Sequence, residues 1–142
     1  MLRAMTRAFI LGCATPAAAV ASAQVPAAGA NADFIVFFDW AKPEINRDAA
    51  EILDNVAAQY AGQPGGRLVL AGHSDRSGPA GANLRSSRKR AETVRDYLAA
   101  HGVPANAISV QAYGEERPIV PTEDGVREVQ NRRVEIRFVP AG

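Results

Sequence analysis

Arg67-Leu68-Val69-Leu70-Ala71-Gly72-His73-Ser74-Asp75-Arg76-Ser77-Gly78 contains the transition on which the fold turns. Its first seven residues are a run of strand formers and read as a buried strand. From Ser74 to Gly81, two glycines and a proline mark a loop. A helix follows, from about Asn83 to His101. Leu84, Ser87, Ala91, Val94 and Leu98 recur on one face as its inner side, and Gly102 with Pro104 supplies the stop.

Upstream, Ile45, Ala49, Ile52, Leu53, Val56 and Tyr60 share the face of an earlier helix. Asn46 is its expected N-cap, and Gly62 with Pro64-Gly65-Gly66 ends it. Before it, Phe34-Ile35-Val36-Phe37-Phe38 is continuously apolar and is expected to be a strand covered on both faces, ended by Asp39-Trp40-Ala41-Lys42-Pro43. Downstream, Ile108, Val110 and Ala112 alternate with Ser109, Gln111 and Tyr113 in a third strand. A polar loop with Pro118 and Pro121 runs to about Gln130. The last strand alternates Val134, Ile136 and Phe138 against Arg133, Glu135 and Arg137, with Arg133 read as exposed and Arg132 sharing the parity of Val134. No internal repeat is present. With 142 residues, 47% of them hydrophobic, the chain has room for a single α+β domain with an ordinary core.

The N-terminus is read apart from that core. Arg3 and Arg7, a short apolar run, and Ala21-Ser22-Ala23 before Gln24 describe a secretory signal peptide over residues 1–23. A flexible lead-in over 24–32 and the domain over 33–140 complete the expected organisation. A second reading of Cys13 stands beside this one: Ile10-Leu11-Gly12-Cys13 has the form of a lipobox, in which that cysteine is lipidated. The apolar stretch before it is short for that role, and the A-x-A site lies downstream. Removal of residues 1–23 takes the net charge from +1 to −1, so the mature domain has no global electrostatic pull towards nucleic acid or acidic lipid.

His73, Ser74 and Asp75 are adjacent, yet neighbours on a strand point to opposite faces, so His73 and Ser74 do not converge as base and nucleophile. No catalytic residue is assigned and the chain is not read as an enzyme. Two separated histidines, His73 and His101, without a ligand-like spacing, give no metal or cofactor site. His73 is expected to hydrogen-bond nearby backbone. Arg85, Arg88, Lys89 and Arg95 read as a solvated helix face. Arg90 lies beside inward Ala91, near the boundary.

The blocks Gly72-His73-Ser74-Asp75-Arg76-Ser77-Gly78, Asn83, Arg90-Ala91 and Val94 resemble the OmpA-like C-terminal domain family. Phe37-Phe38-Asp39 with Ile45, Tyr113-Gly114-Glu115 with Pro118, and Asn131-Arg132-Arg133-Val134-Glu135-Ile136 extend the resemblance over about Asp33 to Val139. It implies a β-α-β-α-β-β two-layer sandwich, with two helices on a mixed four-stranded sheet. It also implies non-covalent binding of peptidoglycan, through the meso-diaminopimelate of its stem peptide, in the Gram-negative envelope. The location would be the periplasm, with outer-membrane association and other envelope proteins as further partners. With Cys13 lipidated, the chain would be similar to the peptidoglycan-associated lipoproteins.

By the same resemblance, Asp75 meets the ligand's ammonium and Arg90 its carboxylate. The pairing makes chemical sense, because a zwitterionic head needs an anion and a cation held apart. The residues alone leave a second reading open, a plain Asp75–Arg90 salt bridge. Both are expected on a loop or helix rim, so their loss is expected to spare folding. Asp39 is a further candidate or a turn cap. Asn83 holds the loop or ligand, or caps the helix. Arg132 turns towards the site, and Trp40 is an aromatic wall or a core lid. Ser86 departs from the family's apolar residue and makes the rim more polar. An envelope protein–protein adaptor that keeps the fold without the ligand is the alternative function.

Overall fold

The computed structural model describes residues 32–141. The expected cleavage after Ala23, the status of Cys13 and nearly all of the lead-in lie outside the described residues. Strand β1 (Phe34–Phe37) leads to helix α1 (Arg47–Ala61), strand β2 (Arg67–Gly72) and helix α2 (Ala80–Ala100). A 3-10 turn (Ala105–Ala107), strand β3 (Ile108–Ala112), a second 3-10 turn (Val129–Asn131) and strand β4 (Arg133–Val139) follow. The sheet order is β1-β4-β2-β3. β2 and β3 are parallel, and β4 runs antiparallel to both β1 and β2. This is the mixed four-stranded sheet with two helices that the sequence implied.

The core lies between helices and sheet. Ala49, Leu53 and Val56 of α1 and Ala91, Val94 and Leu98 of α2 meet Leu68, Leu70, Val134 and Ile136 of the two inner strands. Asn46 caps α1 as expected, its Oδ1 accepting from the Ala49 N–H at 2.8 Å. α2 approaches β2 most closely over Gly72, where no side chain intervenes between the strand and the Ser87 carbonyl.

Four expectations are corrected. β1 is not covered on both faces: among the described residues it is an edge strand paired with β4 alone, and Phe37 is 40% exposed while Val36 and Phe38 are buried. A run of apolar residues cannot by itself distinguish a central strand from an edge strand. α2 begins at Ala80, with Pro79 at its N-cap, so Asn83 lies a turn inside rather than at the cap. Leu84 is 44% exposed although it shares a face with Ser87 and Ala91, because it sits near the start of α2 beside Gly114, beyond the end of β3. Arg133 is fully buried: its guanidinium bonds Glu135 Oε1 and the Arg117 carbonyl, so the loop before β4 covers it.

Candidate functional site

The loop after β2, the first half of α2 and the turn after β1 converge on one cleft. Its volume is about 190 Å³, and its walls include Trp40, Ala41, Ser74, Asp75, Asn83 and Arg90. Ser77 and Ser86 also border it. Of the sequence-derived candidates, Asp75, Asn83, Arg90 and Trp40 line it. Arg132 stands behind it, and Asp39 is exposed on the turn beside it.

Asp75 and Arg90 do not form the salt bridge left open from sequence. Asp75 pairs with Arg132, whose Nη1 lies 2.8 Å from Asp75 Oδ2. The same oxygen accepts the Glu128 N–H at 3.2 Å. Asp75 Oδ1 accepts the Ser77 hydroxyl at 2.6 Å and the Ser77 N–H at 3.3 Å. A carboxylate offers about four acceptor positions, and here all are used within the chain. Burial would raise the Asp75 pKa, but the hydrogen bonds from Ser77, Arg132 and Glu128 outweigh it and hold the pKa below the usual carboxylate value.

Arg132 turns inward as its parity suggested. Besides Asp75, it donates from Nε to the Phe38 carbonyl at 3.1 Å, joining the end of β1 to the Asp75 loop. Asn83 holds the same loop from the helix side. Its Nδ2 donates to the Gly78 carbonyl at 2.8 Å and to Glu115 Oε2 at 2.7 Å.

Arg90 differs from its neighbours. It is 2% exposed, not at a rim, and its guanidinium lies 5.7 Å from the Phe38 ring centroid. Nη1 donates to the His73 carbonyl at 3.3 Å, and Nε has no hydrogen-bond partner among the described residues. Burial pushes its pKa down to about 10; Asp75 opposes this and Arg132 adds to it. Arg90 therefore remains charged at neutral pH while the cleft's one buried carboxylate is already neutralised by Arg132. Ser74 Oγ, also buried in the cleft wall, has no partner either.

Trp40 is 45% exposed and so is a wall rather than a core lid. Its Nε1 donates to Ser77 Oγ at 3.1 Å, and Arg127 covers its ring at 3.5 Å. Next to it, Ala41 adopts φ +57, a left-handed conformation disfavoured for a residue with a Cβ, at the cleft edge. Sequence reading missed Ser77, although Asp-x-Ser is a spacing at which a carboxylate accepts from its own turn. It also missed Asn131, which is fully buried and pins the loop before β4 through the Ile119 and Val120 N–H groups. Asn131 opens the closing block of the family resemblance, but that resemblance gave it no role.

His73 is buried behind the cleft but does not hydrogen-bond the backbone through its ring. The ring stacks on Tyr113, and Nε2 lies 3.4 Å from Glu135 Oε2, a contact short of a hydrogen bond. Burial lowers its pKa below 6.5; Glu135 resists, while Arg133 and Arg117 push the same way as burial. The unfolded chain therefore takes up a proton at a pH where the folded chain does not. Stability is then expected to fall as pH drops from about 6.5, by at most about 1.4 kcal/mol per pH unit from this residue. Urea midpoints at pH 7.5 and 5.5 check this. An unchanged midpoint would mean that His73 titrates alike in both states.

A mixed sheet with two helices packed on it and a cleft walled by Trp40, Asp75, Asn83 and Arg90 defines a small α+β domain. The chain belongs to the OmpA family, which it matches over residues 37–132. It is 39% identical over 109 residues to an outer membrane protein of Gluconacetobacter diazotrophicus, covering 72% of this chain and 29% of that one. It is 37% identical over 98 residues to the peptidoglycan-associated lipoprotein of Rhizobium meliloti, covering 69% of this chain and 56% of that one. The chain thus spans between about a third and about half of these relatives' length. Among solved structures, the peptidoglycan-associated lipoprotein of Burkholderia pseudomallei matches with a TM-score of 0.68 and 27% identity, over 73% of this chain and 88% of that one. The C-terminal domain of Helicobacter pylori MotB matches with a TM-score of 0.66 and 26% identity, over 74% and 83%.

Proposed function

We propose that the domain binds peptidoglycan non-covalently in the cell envelope, taking the meso-diaminopimelate of the stem peptide into the Arg90 cleft. The observation that carries the reading is Arg90 itself, a buried cation with an unpartnered Nε, facing a cleft. An uncompensated buried charge costs stability, and a protein-only adaptor would gain nothing by keeping it. A carboxylate supplies the missing partner. The relatives named as peptidoglycan-associated lipoproteins support the choice of ligand.

In this reading Arg90 takes the terminal carboxylate of the diamino acid. Asp75, with its acceptor positions filled, attracts the adjacent ammonium by charge, and Arg132 keeps Asp75 in place. Asn83 fixes the loop, while Asp39 and the turn after β1 flank the ligand. No bond is made or broken.

Arg90→Met keeps much of the side chain's packing and removes the charge. Its expected effect is about a 10- to 150-fold loss of affinity for purified sacculi, the worth of a hydrogen bond to a charged group. Co-sedimentation at one fixed salt concentration measures it. Undiminished binding by a folded Arg90→Met variant would return the domain to the adaptor reading.

A further inference from the structure

Two buried polar groups in the cleft lack partners among the described residues, and they lie on adjoining elements. Arg90 is 2% exposed, with Nε unpaired, and Ser74 is 3% exposed, with Oγ unpaired. Both line the cleft, and the hydrogen bond from Arg90 Nη1 to the His73 carbonyl brings the guanidinium to the residue preceding Ser74. The Ser74 backbone is fixed independently, its N–H donating to the Gly114 carbonyl at 2.9 Å. Buried hydroxyls are normally hydrogen-bonded, and an orphan costs free energy unless something else fills the role.

The other buried polar side chains lining the cleft are already engaged, and Ser86 stands half-buried at its border. Asp75 is fully used by Ser77, Arg132 and Glu128, and Asn83 by Gly78 and Glu115. What the buried wall of the cleft has left to offer a ligand is therefore a guanidinium and a hydroxyl, both able to donate. We infer that Ser74 is a specificity-determining residue, its hydroxyl donating to the same ligand carboxylate that Arg90 binds. This rests on the peptidoglycan reading and deepens it. Recognition is then led by the carboxylate: a ligand with only an ammonium leaves both donors empty.

The test uses two matched tripeptides, L-Ala-γ-D-Glu followed by meso-diaminopimelate or by L-lysine, titrated calorimetrically into the full chain. Ser74→Ala is expected to weaken the diaminopimelate peptide about 10-fold and to leave the lysine peptide unchanged. Ser74→Thr, which keeps the hydroxyl, restores the affinity. Ser74→Cys, with nearly the same volume but a weak donor, behaves like the alanine variant. If Ser74→Ala costs nothing, or costs both peptides equally, the inference is overturned. The peptidoglycan reading would still stand provided that the unaltered chain prefers the diaminopimelate peptide. An unaltered chain that binds neither peptide overturns both.

Discussion

Gly72→Ala is expected to lose about 3 kcal/mol or more of folding stability, enough to unfold much of a domain whose total is about 5–15 kcal/mol. A Cβ at Gly72 would sit 2.8 Å from the Ser87 carbonyl carbon, closer still to its oxygen, and 3.2 Å from Ala91 Cβ. The clashing atoms are helix backbone, which cannot turn aside as a side chain can. The helix is also held there from the other side. The Gly114 N–H donates to Ser87 Oγ at 3.0 Å, and that hydroxyl donates to the Leu84 carbonyl at 2.8 Å. Moving α2 outward to admit a methyl would strain these bonds and open the contacts of Ala91, Val94 and Leu98 below.

Gly81→Ala is the matched control. Its Cβ would meet only the far end of Arg85, at 3.7 Å, and Gly81 lies in the first turn of α2. Reducing unfolded-chain freedom there is expected to be neutral or to add about 0.4–1 kcal/mol. Urea denaturation of the two variants measures the contrast. A Gly72→Ala domain as stable as the original would mean that α2 rides higher on the sheet than its contacts imply.

The glycine-to-helix segment carried most of the fold in legible form, because a strand, a turn and a helix each leave a local periodicity. Edge and centre leave none: β1 and β2 are both apolar runs, yet β4 inserts between them, a pairing made by residues about a hundred positions from β1. The same distance hid the partner of Asp75. Arg132 is fifty-seven residues away, and the pairing weighed from sequence was with Arg90, fifteen residues away, which the family resemblance singled out. Arg133 was read as solvent-facing because arginines on alternate strand positions usually are. Its burial depends on the loop carrying Arg117, and that loop is pinned by Asn131, which the closing motif contains without revealing what it holds.

Asp75→Ala is expected to cost about 3–5 kcal/mol, against the sequence expectation that a loop residue could be removed without affecting the fold. Asp75 is 3% exposed, and its loss leaves the Arg132 guanidinium buried without its counter-charge. It also strips the Ser77 and Glu128 N–H groups of their acceptor, loosening the Asp75 loop and the segment that enters β4. The pair Asp75→Leu with Arg132→Met removes both charges at once. It is expected to recover a good part of the loss, because an apolar pair of similar volume avoids the desolvation of two ions. The recovery stays incomplete, since the two N–H groups remain unpaired at about 1–3 kcal/mol each. Guanidinium denaturation of the single and double variants gives the coupling directly; a single variant no less stable than the double would show that Arg132 reaches solvent when released. Loss of sacculus binding by Asp75→Ala therefore mixes unfolding with recognition. Arg90→Met separates them, because Arg90 forms no salt bridge among the described residues and Asp75 keeps its own partner, Arg132.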